Sequence, residues 1–322
     1  MRIQAWVAAL SVTLLITKLV AYFLTGSIAI LTDALESIVN VVAGFFGLFS
    51  LYLSAKPRDA DHPYGHGKIE FISSAVEGSM IFVAGVFIIY EAIKNLIHPS
   101  AIQQLDIGII LISATAIINY SMGLLCVRTG ERNNSLVLIS SGKHLQSDTY
   151  STLGIIAGLI LIRFTQINWI DSIVAILFSF IILYTGFKII RVALAGIMDE
   201  TDKALLVKMV SLLNANRKEN WVDLHNLRII KYGSTLHLDC HFTVPWYLNV
   251  HEAHLEIDAL AELVRKNFGE SLELFVHSDG CLDFSCKICD KKECAVRKHS
   301  FEKRIEWTVE NISSNKKHQV NS

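Results

Sequence analysis

Six stretches of this chain, at about 4–24, 27–54, 69–97, 105–127, 144–164 and 169–195, are long and apolar enough to cross a bilayer, which takes ~20 residues each as a helix. In hydrocarbon every backbone amide must find its partner inside the structure, so continuous runs of this length leave helices as the fold of the first two thirds of the chain. Of 322 residues, 52% are hydrophobic and 18% charged, and the mean hydropathy is +0.42, too apolar for water to be the only solvent. The first run leads straight into further apolar segments, with no small-residue cleavage site before a soluble sequence, so it reads as a spanning helix. Lys56, Arg58 and Lys68 lie between the second and third runs, Arg128, Arg132 and Lys143 between the fourth and fifth, and Lys188 and Arg191 end the sixth. The other connections hold little beyond Lys94 and Arg163. By the positive-inside rule both termini are cytoplasmic, and the expectation is an integral, multi-pass protein of the cell (inner) membrane.

From about Thr201 the pattern changes to short amphipathic elements. Residues 201–215 and 251–268 have helical periodicity, and 223–232, 235–244 and 271–277 read as strands, the first two flanking Tyr232-Gly233-Ser234. An α-β-β-α-β, α+β domain follows from that order. The organisation predicted is a six-helix transmembrane domain over 1–198, a cytosolic α+β domain over 199–280, and an extension over 281–322 whose polar end after Val309 is expected to be disordered. A net charge of −1 gives no overall basic excess for nucleic acid.

Polar residues inside the apolar runs locate the chemistry. Glu36 and Asn40 lie in the second run, and His144 and Asp148 open the fifth. An unpaired carboxylate in hydrocarbon costs at least ~2.5–3.5 kcal/mol. Both pairs are spaced i,i+4, one helix face each, so two facing helices would present a compact set of four metal ligands. Asp33 is read as a vestibule residue or a helix-end carboxylate near the interface. Between the second and third runs, Asp59, His62 and His66 have ligand spacing, although a polar loop carrying helix-start signals fits the same residues. Past Gly280, Cys281, Cys286, Cys289 and Cys294 are spaced C-x4-C-x2-C-x4-C, a tetrahedral thiolate pattern that favours zinc and brushes against iron–sulfur spacing. A cytosolic location argues against a disulfide framework for these cysteines.

Three stretches together resemble the cation diffusion facilitator family: Gly26-Ser27-Ile28-Ala29-Ile30-Leu31-Thr32-Asp33-Ala34-Leu35-Glu36-Ser37, His62-Pro63-Tyr64-Gly65-His66-Gly67-Lys68-Ile69-Glu70, and His144-Leu145-Gln146-Ser147-Asp148. The resemblance runs from about residue 5 to 280. It implies a homodimeric exporter of divalent cations, often zinc, that exchanges metal for protons by alternating access, with a metallochaperone-like cytosolic domain. It implies Glu36, Asn40, His144 and Asp148 as the transport site, and Asp59, His62 and His66 as a loop site. It further implies His225, His241, His254, His277 and Asp279 as a cytosolic site, and a Lys68–Asp199 pair that locks the dimer. His237 and His251 are read as surface histidines. The family usually has Asp or His at the position of Glu36 and Asp at that of Asn40. A neutral amide replaces one anionic ligand here, which leaves iron, manganese, cobalt and cadmium admissible beside zinc. The extension lies outside the resemblance.

Two other function classes fit less well. A membrane metalloenzyme would need an open coordination position beside a general base, and the sequence has no HExxH helix or nucleophile motif. A membrane-bound metal sensor would share every ligand and differ only in flux. Transport is favoured because the polar site lies deep in a helix bundle.

Overall fold

The computed structural model describes residues 2–98, 102–132, 136–232, 235–269 and 272–320. Six long helices come first: α1 (Arg2–Thr25), α2 (Ile28–Ser54), α3 (Ile69–Ile97), α4 (Leu105–Arg132), α5 (Leu136–Thr165) and α6 (Trp169–Ile197). Five contain described spans long and apolar enough to cross a membrane, and the described apolar part of α1, Ala9–Thr25, is shorter. Their outward faces carry large apolar side chains such as Phe45, Val83, Ile110 and Phe180, as a bilayer solvent allows. The chain divides into one unit of residues 1–52 and 70–194 and a second of 53–69 and 195–322.

Small residues set the helix packing in the first unit. An ideal Cβ on Gly142 of α5 would lie 2.6 Å from the Gly123 carbonyl oxygen of α4, so only glycine lets these backbones come so close. α5 begins at Leu136, ahead of the predicted apolar run, and its membrane-length apolar span, Leu145–Thr165, matches that run. Ala21, Ile30, Ile112, Ile155 and Leu159 form an apolar cluster joining α1, α2, α4 and α5. The N-terminus of α2 is capped from α6: Asp171, fully buried, accepts from Ile28 N at 2.6 Å and from Ser27 Oγ at 2.6 Å. A carboxylate there meets the free amides and the positive end of the helix dipole.

The second unit continues with α7 (Lys203–Ala215), β1 (Asp223–Tyr232), β2 (Thr235–Val244), α8 (Val250–Phe268) and β3 (Leu272–Gly280), the predicted α-β-β-α-β order. Asp202 caps α7, and Asn249 with Glu252 forms a capping box on α8. The sheet order is β1-β2-β3, antiparallel between β1 and β2 and parallel between β2 and β3. Met209 and Leu213 of α7, Leu224, Phe242 and Val244 of the sheet, and Leu260 and Val264 of α8 form its core.

The polar end after Val309 is not a disordered tail. Residues 281–320 fold back on the same core through a 3-10 turn at Asp283–Lys287 and the short helix α9 (Val309–Ile312). Trp307 and Ile312 are fully buried among the core residues. Asn214 Nδ2 donates to the Trp307 carbonyl at 2.6 Å, and Asn226 N donates to the Ser314 carbonyl at 2.8 Å. These apolar anchors lie within a polar composition, which is why the segment reads as disordered from sequence.

Candidate metal sites

The site in the helices is built from α2, α3, α5 and α6. Asn40 Nδ2 donates to Asp148 Oδ2 at 3.0 Å, joining α2 to α5. Glu36, Asn40 and Asp148 line one cavity of about 320 Å³. With its nitrogen donating to Asp148, the Asn40 side chain has its amide oxygen left as an acceptor. The side chain of His144 lies outside the described residues. Ser147, Ser151 and Thr185 line the same space, as does Glu77 of α3, which the sequence reading missed. Glu77 carried a usable signal, since it is a carboxylate inside the third apolar run.

Asp33 is neither a vestibule residue nor at an interface. Its side chain is 1% exposed and pairs with Lys18 Nζ of α1 at 2.9 Å. Thr152 Oγ1 also donates to Asp33 Oδ1 at 3.0 Å, and Lys18 also donates to Ser37 Oγ at 2.9 Å. One turn from Glu36, this network ties α1, α2 and α5 together. A lone lysine in the first apolar run was the overlooked signal.

In the loop after α2, Asp59 Oδ1 accepts from His62 N at 2.7 Å and lies 3.1 Å from His62 Nδ1, while Asp59 Oδ2 is 3.4 Å from His66 Nε2. One ligand atom from each of the three residues lies within 4.8 Å of the others. The backbone amide of His62 holds the Asp59 carboxyl below the usual range. His66 Nδ1 is buried with no hydrogen-bond partner. Nearby, Lys68 Nζ donates to Asp199 Oδ2 at 2.8 Å and stands 4.7 Å over the Tyr232 ring. Burial opposes the ammonium, but the hydrogen bond and charge of Asp199 outweigh it and raise the Lys68 pKa.

The strand register assembles the histidine cluster. His225 stands opposite His241, and His241 opposite His277, so the three cross the sheet in a row, with Asp279 two residues beyond His277. His225 Nε2 and His241 Nδ1 lie 3.7 Å and 3.4 Å from Asp279 Oδ2, and ligand atoms of these three residues lie within 4.8 Å of one another. His277 Nε2 is 3.7 Å from Asp279 Oδ1 on the exposed edge. His254 lines a groove with Asp279 but its Nε2 lies 3.7 Å from Asp258 Oδ1. Asp279 Oδ2 is buried without a hydrogen-bond partner, whereas His225 Nδ1, on the other side of its ring, faces Asp223 Oδ2 at 3.4 Å.

Behind His225 lies a contact that sequence did not announce. His318, near the chain end, places Nδ1 2.5 Å from Asp223 Oδ1 and donates its backbone N to Asp223 Oδ2 at 3.0 Å. Burial works against the Asp223 carboxylate, but the imidazoles of His225 and His318 pull its pKa well below the usual range. His237 is not a surface histidine: it is 4% exposed, 3.0 Å from Glu273 Oε2, and burial lowers its pKa despite that carboxylate. His251 is exposed, as expected. Cys281, Cys286, Cys289 and Cys294 are free thiols lining one small cavity.

A family described as the cation efflux transmembrane domain matches residues 5–198, and one described as the cation efflux protein cytoplasmic domain matches 205–281. An uncharacterized transporter of Synechocystis is 33% identical over 237 residues, 74% of this chain and 76% of that protein. The cation-efflux pump FieF of Shewanella oneidensis is 25% identical over 275 residues, covering 84% and 90%. The metal cation efflux system protein CzcD of Cupriavidus metallidurans is 28% identical over 223 residues, covering 67% and 68%.

Proposed function

Because the chain belongs to the cation efflux family of metal-ion transporters, we propose that it is a homodimeric exporter of a divalent transition-metal cation, zinc foremost, driven by proton exchange. The observation that carries this reading is the Asn40–Asp148 hydrogen bond at 3.0 Å across α2 and α5, with Glu36 on the wall of the same cavity. Two carboxylates in an apolar bundle balance the charge of a divalent ion, and the Asn40 oxygen and the His144 imidazole complete the ligand set. The cargo exchanges hydration water for these groups. Protons compete for the same lone pairs, so protonation of His144 and the carboxylates releases the metal on the opposite face. The amide at position 40 widens the cargo range towards iron, manganese, cobalt and cadmium.

The loop group and the histidine cluster supply cytosolic binding. Asp59, His62 and His66 would take an ion in the loop, and His225, His241 and Asp279, joined by His277 and His254, would take ions on the sheet edge. The buried atoms His66 Nδ1 and Asp279 Oδ2, which have no hydrogen-bond partner, support the two assignments. Metal there biases the transport cycle only as far as the conformations differ in affinity for it.

Metal-dependent proton flux in proteoliposomes tests the reading, with zinc, iron, manganese, cobalt and cadmium compared. Wild type should couple uptake of its preferred metal to proton movement, and Asp148→Ala should abolish both. Tight binding without flux for any metal would replace the exporter with a sensor.

A further inference from the structure

The segment beyond the cytoplasmic-domain match, from residue 282 onward, poses a stability problem of its own. Its regular structure amounts to a five-residue 3-10 turn and a four-residue helix, and Ile288, Trp307 and Ile312 are its buried apolar anchors. So short a segment, with so little core and so few backbone ladders, ordinarily needs a covalent or metal staple to hold one conformation. The four cysteines are where such a staple would act.

We propose that Cys281, Cys286, Cys289 and Cys294 form a four-thiolate site for one structural divalent metal of the zinc class, separate from the transport site and from the histidine cluster. The chain is bent to serve it. Gly280 ends β3 with its α-carbon against Trp246, where an added Cβ would lie 3.1 Å from the Trp246 Cβ, and Cys281 N then donates to the Val244 carbonyl at 2.9 Å. Ser285 Oγ accepts from Leu282 N at 3.1 Å and starts the turn that delivers Cys286. The guanidinium of Arg297 donates to the carbonyls of Cys286 at 3.0 Å, Cys289 at 3.1 Å and Lys291 at 2.5 Å, so one side chain clamps the backbone between the second and fourth thiols. The Lys298 amide donates to Cys286 Sγ at 3.4 Å, the kind of donor that offsets negative charge on a thiolate.

The four side chains surround a cavity of about 20 Å³, room for a single water-sized occupant and no more. Unlike the loop and histidine groups, no three of these thiols have ligand atoms within 4.8 Å of one another. A metal would therefore draw them inwards. Lys291 and Arg297 also line the space, and their positive charge would offset the surplus negative charge of four thiolates around a divalent ion. Lys291 anchors this knuckle to the domain by donating to Asn220 Oδ1 at 2.7 Å.

The test uses the full-length protein in detergent and does not depend on transport. Cobalt loaded in place of the native metal should give the sulfur-to-cobalt charge-transfer absorption and strong visible bands of a tetrahedral thiolate site. Those bands should survive His241→Ala and vanish in Cys286→Ser/Cys289→Ser, which should also hold about one equivalent less zinc per chain. Should the double variant fail to fold, alkylation of wild-type cysteines decides: zinc should slow it by about tenfold or more. Cobalt spectra without sulfur bands, alkylation indifferent to zinc, native disulfides, or iron with acid-labile sulfide would each overturn the proposal.

Discussion

Lys18 and Asp33 lie 2.9 Å apart with side chains 2% and 1% exposed, and what they contribute depends on which is removed. Losing one partner leaves a buried charge without its counter-ion, at a cost of about 3–5 kcal/mol, whereas replacing both by apolar groups is often close to neutral. Lys18→Met should therefore sharply lower the thermal midpoint of the detergent-solubilised protein, and Lys18→Met with Asp33→Leu should recover most of it. A double variant as unstable as the single one would mean that Thr152 and Ser37, not the ion pair, hold the network. Asp223 makes a prediction in pH. Its folded pKa lies below the unfolded value of about 3.9, so its stabilisation is complete above that pH and is lost as pH falls through the folded pKa. Asp223→Asn should cost about 1–3 kcal/mol near neutrality, and the gap from wild type, read by thermal unfolding, should begin to narrow below about pH 4 and close only as pH falls through the lowered folded pKa.

At the scale of elements, much of the molecule was legible. Apolar run length fixes the helices because the bilayer forces backbone bonds inside each segment, and the two-residue alternation of β1 and β2 gave strands with the observed bounds. The ligand-spaced pair Glu36 and Asn40 lines one cavity. Other features required three dimensions. The close approach of Gly142 to the Gly123 carbonyl is a demand that exists only once α4 is in place. Gly142→Leu should separate α4 from α5 and lower both folded yield and flux, while Gly44→Leu on α2, where an added Cβ meets nothing within 4 Å, should be tolerated. The Asp171 cap on α2 and the His318 contact with Asp223 were equally hidden, since both join residues more than ninety positions apart. The row of histidines depends on strand register, which spacing along one strand does not specify.

For the whole molecule, the proposed dimer offers a test at Lys68 and Asp199. Their hydrogen bond of 2.8 Å lies within one chain, and the proposed dimer-locking role makes this pair sensitive to charge order. Lys68→Glu or Asp199→Lys alone should reduce the dimer fraction measured by crosslinking or light scattering, and the exchanged pair should restore it. Failure of the exchange to restore dimers would assign the pair a role inside the protomer only. The folded-back extension bears on where this protein can be cut. A stop codon placed after residue 281, where the cytoplasmic-domain match ends, would strip Trp307 and Ile312 from a shared core and expose the strand that carries His225. Such a fragment would be sticky and short-lived. A bulky insertion beside His318 would crowd its seat against Asp223, so reporters and purification handles belong elsewhere on this chain.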